Sequence, residues 1–207
     1  LVKPREEGGG GCDLSLKTNH DTTAVHYAAA NGQLETLQWL VTPKEEGGGG
    51  CDLNGEDYDG WTAVHYAAAN GQLDILKWLV TPKEEGGGGC DLSVKTNYGA
   101  TAVHLAAEKG QLETLQWLVT SKENGGGGCD LNGEDDDGET AVYYAARNGH
   151  LETLQWLVKP KGEGGEGCDL NGKDYEGNTI VHIAAAMGHF DMLKWLVTSK
   201  ENGGGGW

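Results

Sequence analysis

The sequence predicts an all-α repeat fold, a solenoid of stacked helix-turn-helix units with projecting hairpins and loops. Three observations carry that expectation. Cysteines stand at Cys12, Cys51, Cys90, Cys129 and Cys168, each 39 residues after the last. The same step links Thr23, Thr62, Thr101, Thr140 and Thr179, and again Trp39, Trp78, Trp117, Trp156 and Trp195. Glycine fills 36 of 207 positions and apolar residues only 37%, which disfavours one large globular core. A fixed period of this length marks one supersecondary unit that buries its apolar face only by stacking on its neighbours.

Counting Cys as the first residue gives repeats 12–50, 51–89, 90–128, 129–167 and 168–206, with a partial repeat 1–11 and Trp207 where the next Cys would stand. The expected domain is therefore a single repeat array over 1–207. Both flanks read as cuts through a longer periodic object, because the opening residues Leu1-Val2-Lys3-Pro4 follow the pattern of Leu79-Val80-Thr81-Pro82.

Each element follows from the pattern of one copy. Thr62 is suited to N-cap a short helix in which Val64, Ala67 and Ala68 share a face, and Asn70-Gly71 is suited to stop it. Leu73, Leu76, Leu79 and Val80 then form the apolar stripe of a second helix, antiparallel to the first, which Pro82 ends. The remainder, from Glu84 through Gly86, Gly87, Gly88 and Gly89 to Cys90-Asp91-Leu92, reads as a loop followed by a turn or hairpin.

At these residues the chain resembles the ankyrin repeat family, whose units carry a D-x-x-G-x-T-P-L-H-x-A-A turn and helix. The run from Asp57 through Gly60, Thr62, Val64 and His65 to Ala67-Ala68 matches it, and the match recurs in every copy. The departures are Ala for Pro after Thr in four copies, Ile180 in the fifth, Tyr143 for one His and Asp21 for one Gly. The period also exceeds the family's usual 33 by six, an excess placed between Pro82 and the glycines. Loops absorb such insertions because closure entropy grows slowly with length.

The charge excludes some partners. With 15 Lys and Arg against 32 Asp and Glu, the net charge of −17 argues against nucleic acid and anionic membranes. No apolar stretch approaches the ~18 residues of a membrane span, and Leu1 to Arg5 lacks a signal peptide's apolar segment. The compartment stays open.

Several ladders invite chemistry. Equivalent cysteines on packed helical units lie ~8–10 Å apart, beyond the ~7 Å limit for a disulfide, and no C-x-x-C exists for zinc. A small buried role is expected for them. In the resembled family the His at His26, His65, His104 and His182 bonds to the nearby Thr and hairpin backbone, and Tyr143 would interrupt any proton relay. His20, His150 and His189 read as isolated and exposed. The Trp ladder reads as packing between helix pairs, or as cover for the enlarged loop, while Trp61, in a turn, reads as an exposed anchor for a partner. The tetraglycines are expected to supply positive φ or close approach between neighbouring loops. Gly167 to Lys173 nearly matches a phosphate loop, but Asp174 stands where Ser or Thr should hold magnesium. The acidic hairpins around Asp57 and Glu134-Asp135-Asp136-Asp137 offer oxygens to calcium without an EF-hand spacing, and a solvated acidic face is the simpler reading. No metal or cofactor is expected.

Catalysis is not expected either. The chain has no G-x-S-x-G and no H-E-x-x-H, and it repeats its chemistry where an active site needs one unlike constellation. The resemblance implies a protein-binding scaffold whose contacts come from the hairpin tips and first-helix ends of its concave face. Carried onto this sequence, those positions are Asn19, His20 and Thr22 in the first copy and Tyr58, Asp59 and Trp61 in the second. Asn97, Tyr98 and Ala100 with Glu108 follow in the third, and Asp136, Asp137 and Glu139 with Arg147 and Asn148 in the fourth. The fifth offers Tyr175, Glu176 and Asn178. These positions vary while the frame repeats, and their aromatics and carboxylates favour a basic or apolar-plus-basic protein partner. The alternative is a structural subunit that stacks end to end into a filament, suggested by terminal copies that keep Val25, Leu37, Leu40, Val181, Leu193 and Leu196 apolar.

Overall fold

The computed structural model describes residues 13–198. Cys12, the partial repeat 1–11 and Trp207 lie outside the described residues. Five helix pairs follow one another: α1 (Ala24–Ala30) with α2 (Leu34–Val41), α3 (Ala63–Ala69) with α4 (Leu73–Val80), and α5 (Ala102–Glu108) with α6 (Leu112–Val119). They continue with α7 (Ala141–Arg147) and α8 (Leu151–Val158), then α9 (Ile180–Ala186) and α10 (Phe190–Val197). Each first helix starts on an extended threonine, Thr62 at φ −104° for example, and each second helix in copies two to five ends just before a residue in extended backbone. The periodic pattern thus places both helices within a residue of their observed ends.

First helices pack side by side, α1 on α3, α3 on α5, α5 on α7 and α7 on α9, and each packs on its own second helix. Alanines make the side-by-side contact: Ala67, Ala68, Ala106, Ala107, Ala145 and Ala146 are all fully buried. Leu37, Leu76, Leu79, Leu115, Leu118, Leu154 and Leu157 fill the space between the layers, also fully buried. At roughly 1.5–3 kcal/mol per buried leucine, this apolar ladder is the main stabilising term. The last pair is less covered. Leu196 is buried, Val181 and Leu193 are half-buried, and Met187, Phe190 and Val197 are exposed.

Three polar ladders bind each repeat to the next. In the first, Thr62 N–H donates to His65 Nδ1 (3.0 Å), which leaves the proton on Nε2 to donate to Val94 O of the next repeat (3.1 Å). His26 reaches Gly55 O (2.9 Å) and His104 reaches Gly133 O (3.0 Å) in the same way. Tyr143 does not break this ladder as a structural feature, since its hydroxyl donates to the equivalent Gly172 O (2.7 Å). His182 keeps its bond from Thr179 N–H but is exposed.

The second ladder was not read from the sequence. Gln72 and Gln111 donate side-chain N–H to Ala30 O and Ala69 O, the last carbonyls of the preceding first helices (3.1 and 3.3 Å). His150 and His189 stand at the same register and bond Glu108 O and Arg147 O, both at 2.8 Å. The expectation that these two histidines are isolated and exposed is therefore corrected: they are half-buried, and they satisfy helix-end carbonyls that would otherwise lack a donor.

The third ladder runs through the turns. Tyr58, Asn97, Asp136 and Tyr175 donate N–H to His20, Asp59, Tyr98 and Asp137 O of the preceding turn, at 3.0 to 3.1 Å. One bond per turn makes no sheet, so among the described residues no strand forms and the expected hairpins are tight turns. Gly60, Gly99, Gly138 and Gly177 hold the left-handed position in these turns, and Asp21 adopts it too at φ 59°.

The glycine loops fold onto their own repeat, not onto neighbouring loops. A 3-10 turn, Lys83–Glu85, ends on Gly86 at φ 84°, and the chain then returns along α4. Gly88, Gly89 and Cys90 donate N–H to Trp78, Thr81 and Leu79 O at 2.9, 2.8 and 2.7 Å, satisfying the end of the helix. A Cβ on Gly87 would lie 2.2 Å from Thr81 O, so close approach requires glycine there. The expectation of loop-to-loop contact is corrected accordingly, while that of positive φ holds. The Trp ladder covers these loops: Trp39, Trp78 and Trp117 donate indole N–H to Gly47, Gly86 and Gly125 O at 3.2, 3.0 and 3.0 Å. Trp39 is 50% exposed, while Trp78, Trp117, Trp156 and Trp195 are half-buried and pack against the core, as the packing role predicts. Cys51, Cys90, Cys129 and Cys168 are free thiols, half-buried behind the loops. Burial pushes Cys90, Cys129 and Cys168 up to about 11.

Candidate functional site

The turns that carry the predicted contact residues are shaped by one acceptor each. Asp57 Oδ1 accepts N–H from Asp59 and Trp61 (3.0 and 2.8 Å), and its Oδ2 accepts Tyr66 OH (2.7 Å). Asp135 does the same for Asp137 and Glu139 (3.0 and 2.8 Å) and for Tyr144 (2.7 Å). Asp174 holds Glu176 and Asn178 at 3.0 and 2.8 Å. In the first and third turns a threonine replaces the aspartate: Thr18 Oγ1 accepts Thr22 N–H and Thr96 Oγ1 accepts Ala100 N–H, both at 3.2 Å. Of the carboxylates that looked available to calcium, Asp57 and Asp135 are thus committed to backbone donors. Among the described residues, no group of three or more His, Cys, Asp or Glu is placed to hold a metal ion.

The third to fourth repeats, with the edge of the second, enclose a groove of about 440 Å³. It brings together nine predicted positions: Asp59, Trp61, Tyr98, Ala100, Glu108, Asp137, Glu139, Arg147 and Asn148. Thr96, Leu105 and Tyr144, which sequence reasoning did not single out, line it as well, with Asp135, which it considered only as a calcium ligand. A signal for Tyr144 existed, because Asp135 and Tyr144 repeat the nine-residue spacing of Asp57 and Tyr66. The remaining predicted positions lie outside the groove lining. Asn19 and His20 sit on the first turn, and Glu176 and Asn178 on the fifth. Tyr58, Asn97, Asp136 and Tyr175 occupy the ladder position one residue before the groove-facing tips, and all four are exposed. Asn97 Nδ2 donates to Tyr58 O (3.0 Å) and Tyr175 OH to Glu134 Oε2 (3.3 Å).

Trp61 is not the freely exposed anchor expected from its turn. It is half-buried, with its ring 5.3 Å from that of Tyr66 and 6.4 Å from that of His65. Glu139 is only 4% exposed and pairs with Arg147, whose guanidinium lies 5.8 Å from the Tyr144 ring centroid. Burial raises the Glu139 pKa, and the Arg147 charge opposes that rise. Burial and the bond to Asp57 push Tyr66 up to about 12, and the same pair of causes drives Tyr144 above its ordinary value. Glu108 pairs with Lys109 (2.8 Å). Asp59 and Asp137 have no ion-pair partner among the described residues.

A stack of helix pairs joined by projecting turns defines a helical-repeat solenoid. Among the described residues no helix is long and apolar enough to cross a membrane. The family model for ankyrin repeats, in three copies, matches residues 9–87, 26–132, 86–166 and 104–204, and the chain belongs to the ankyrin repeat family. Members of that family are generally protein-protein interaction modules and are typically non-enzymatic. A search for curated relatives finds no protein that matches.

Proposed function

We propose that the chain is a non-catalytic scaffold that binds a basic or apolar-plus-basic protein partner in the groove spanning its second to fourth repeats. The observation that carries this reading is the groove's composition. Aromatic rings at Trp61, Tyr98 and Tyr144 line it together with Asp59 and Asp137, which have no ion-pair partner among the described residues, on turns locked by hydrogen bonds in every repeat. A preorganised face loses little entropy on binding, and unpaired carboxylates favour cationic partners. Selection of binders from a random peptide display library against the full chain tests it. Binders should protect groove amides from hydrogen exchange and lose affinity for Tyr98→Ser, a change at an exposed side chain. Footprints confined to the glycine loops would refute the reading.

A second reading, end-to-end stacking of molecules, is supported by the exposed Met187, Phe190 and Val197 around α9 and α10. Each internal interface already repeats one set of bonds that another copy could continue. Light scattering across a hundredfold dilution decides it: particles that grow with concentration support stacking, and a constant monomer mass rejects it.

A further inference from the structure

Within the groove, charge is not spread evenly. Glu139 is answered by Arg147 and Glu108 by Lys109, while Asp135 is committed to two backbone N–H groups and Tyr144 OH. That leaves Asp59, whose Oδ1 accepts the Tyr98 hydroxyl at 3.5 Å, and Asp137 as the lining carboxylates without a counter-ion among the described residues. They are two repeats apart at one repeat position, and Tyr98, 62% exposed, occupies that position in the repeat between them. The carbonyls of Asp59, Tyr98 and Asp137 each accept an N–H from the following turn at 3.0 to 3.1 Å, which fixes the three tips in line at a constant step.

A line of fixed step acts as a ruler. Packed helical units are separated by ~8–10 Å, so the two carboxylates stand roughly 16–20 Å apart. An extended chain covers that span in about five or six residues at ~3.3 Å each, and its side chains alternate between faces. Only an even offset puts both side chains toward the groove. We infer that the groove takes an extended peptide segment, running along the solenoid axis, that carries two cationic side chains at i and i+6, one on Asp59 and one on Asp137. The residues at i+2 and i+4 then face the Tyr98 ring, which suits an apolar side chain or an aliphatic stem. This register rests on the reading of the groove as a protein-binding face.

Fluorescein-labelled Gly/Ser peptides with two arginines test the register, the pair being set at i and i+6, at i and i+3, or at i and i+9. All carry the same charge, so general attraction to an acidic chain affects them equally. Anisotropy titration of the full chain should give the i+6 peptide roughly fivefold tighter binding, the gain from a second exposed ion pair. Asp59→Asn and Asp137→Asn should each remove that preference, while the charge-matched Glu45→Gln and Glu84→Gln on the loops should keep it. Equal affinity at all spacings, a preference that survives either Asn variant, or no binding by any peptide overturns the register. None of these outcomes touches the display footprint, so the wider reading stands or falls separately.

Discussion

Acidification should loosen the repeat interfaces through the buried histidines, and His65 gives the size of the effect. It is fully buried, and desolvation lowers its pKa from 6.5 to about 4, outweighing the Asp57 charge and the Val94 carbonyl, which favour the cation. Nδ1 accepts from Thr62 N–H, so protonation would turn that acceptor into a second donor and break the bond. The folded state therefore binds the proton more weakly than the unfolded chain. Stability is fully present above the unfolded pKa and falls as pH drops through the window from about 6.5 to about 4. At about 1.36 kcal/mol per pKa unit, His65 alone costs about 2 kcal/mol between about pH 7.5 and about pH 5, and about 3 kcal/mol in the acid limit. The comparator is His65→Tyr, because Tyr143 already makes the equivalent cross-repeat bond in the fourth repeat. Urea unfolding of the full chain, followed by circular dichroism and tryptophan fluorescence together, should show stability falling more steeply with acid for the native chain. The difference between the two slopes isolates His65, since His26 and His104, lowered by the same burial, remain in both. Parallel pH dependences would refute the argument, because His65 would then not be held neutral by the fold.

Gly87→Ala should destabilise by about 1–3 kcal/mol in the same unfolding assay, since its Cβ meets Thr81 O at 2.2 Å, whereas Gly162→Ala meets nothing and should be nearly silent. Arg147→Ala leaves Glu139 buried without its cation. A loss of about 1–3 kcal/mol is expected, below the ~3–5 of a fully buried pair because the Arg147 side chain is 39% exposed. Its thermal unfolding at neutral and mildly acid pH should converge on the native value as Glu139 takes up a proton. Cys90, Cys129 and Cys168, held up to about 11 by burial, should react with a disulfide reagent at neutral pH well below the rate of a free thiol, and urea should abolish the difference.

Much of this architecture was legible because a short-range code repeats. Thr at the N-cap, Asn-Gly after the first helix and the Leu stripe of the second are local signals, and five copies remove the ambiguity that one copy would leave. The varied tips were legible for the same reason, as the positions where the copies disagree. What was missed lies across the interfaces. Nothing in the neighbourhood of His150 or Gln72 says that its side chain will reach a carbonyl 42 residues earlier. Nothing around Trp78 reveals that its indole, while packing against the core, will also hold the carbonyl of Gly86 eight residues later.

The sequence by itself therefore determined the period, the helix pairs and the set of positions free to vary, because each depends on contacts within a few turns of chain. Tertiary structure decided which of those positions share a groove and which face away. It also decided that Glu139 is paired with Arg147 and Asp135 committed to backbone donors, while Asp59 and Asp137 have no ion-pair partner among the described residues. The physical reason is that counter-ions and hydrogen-bond donors come from the neighbouring repeat or the far side of a turn. Their availability is set by stacking geometry, which no single copy of the repeat contains.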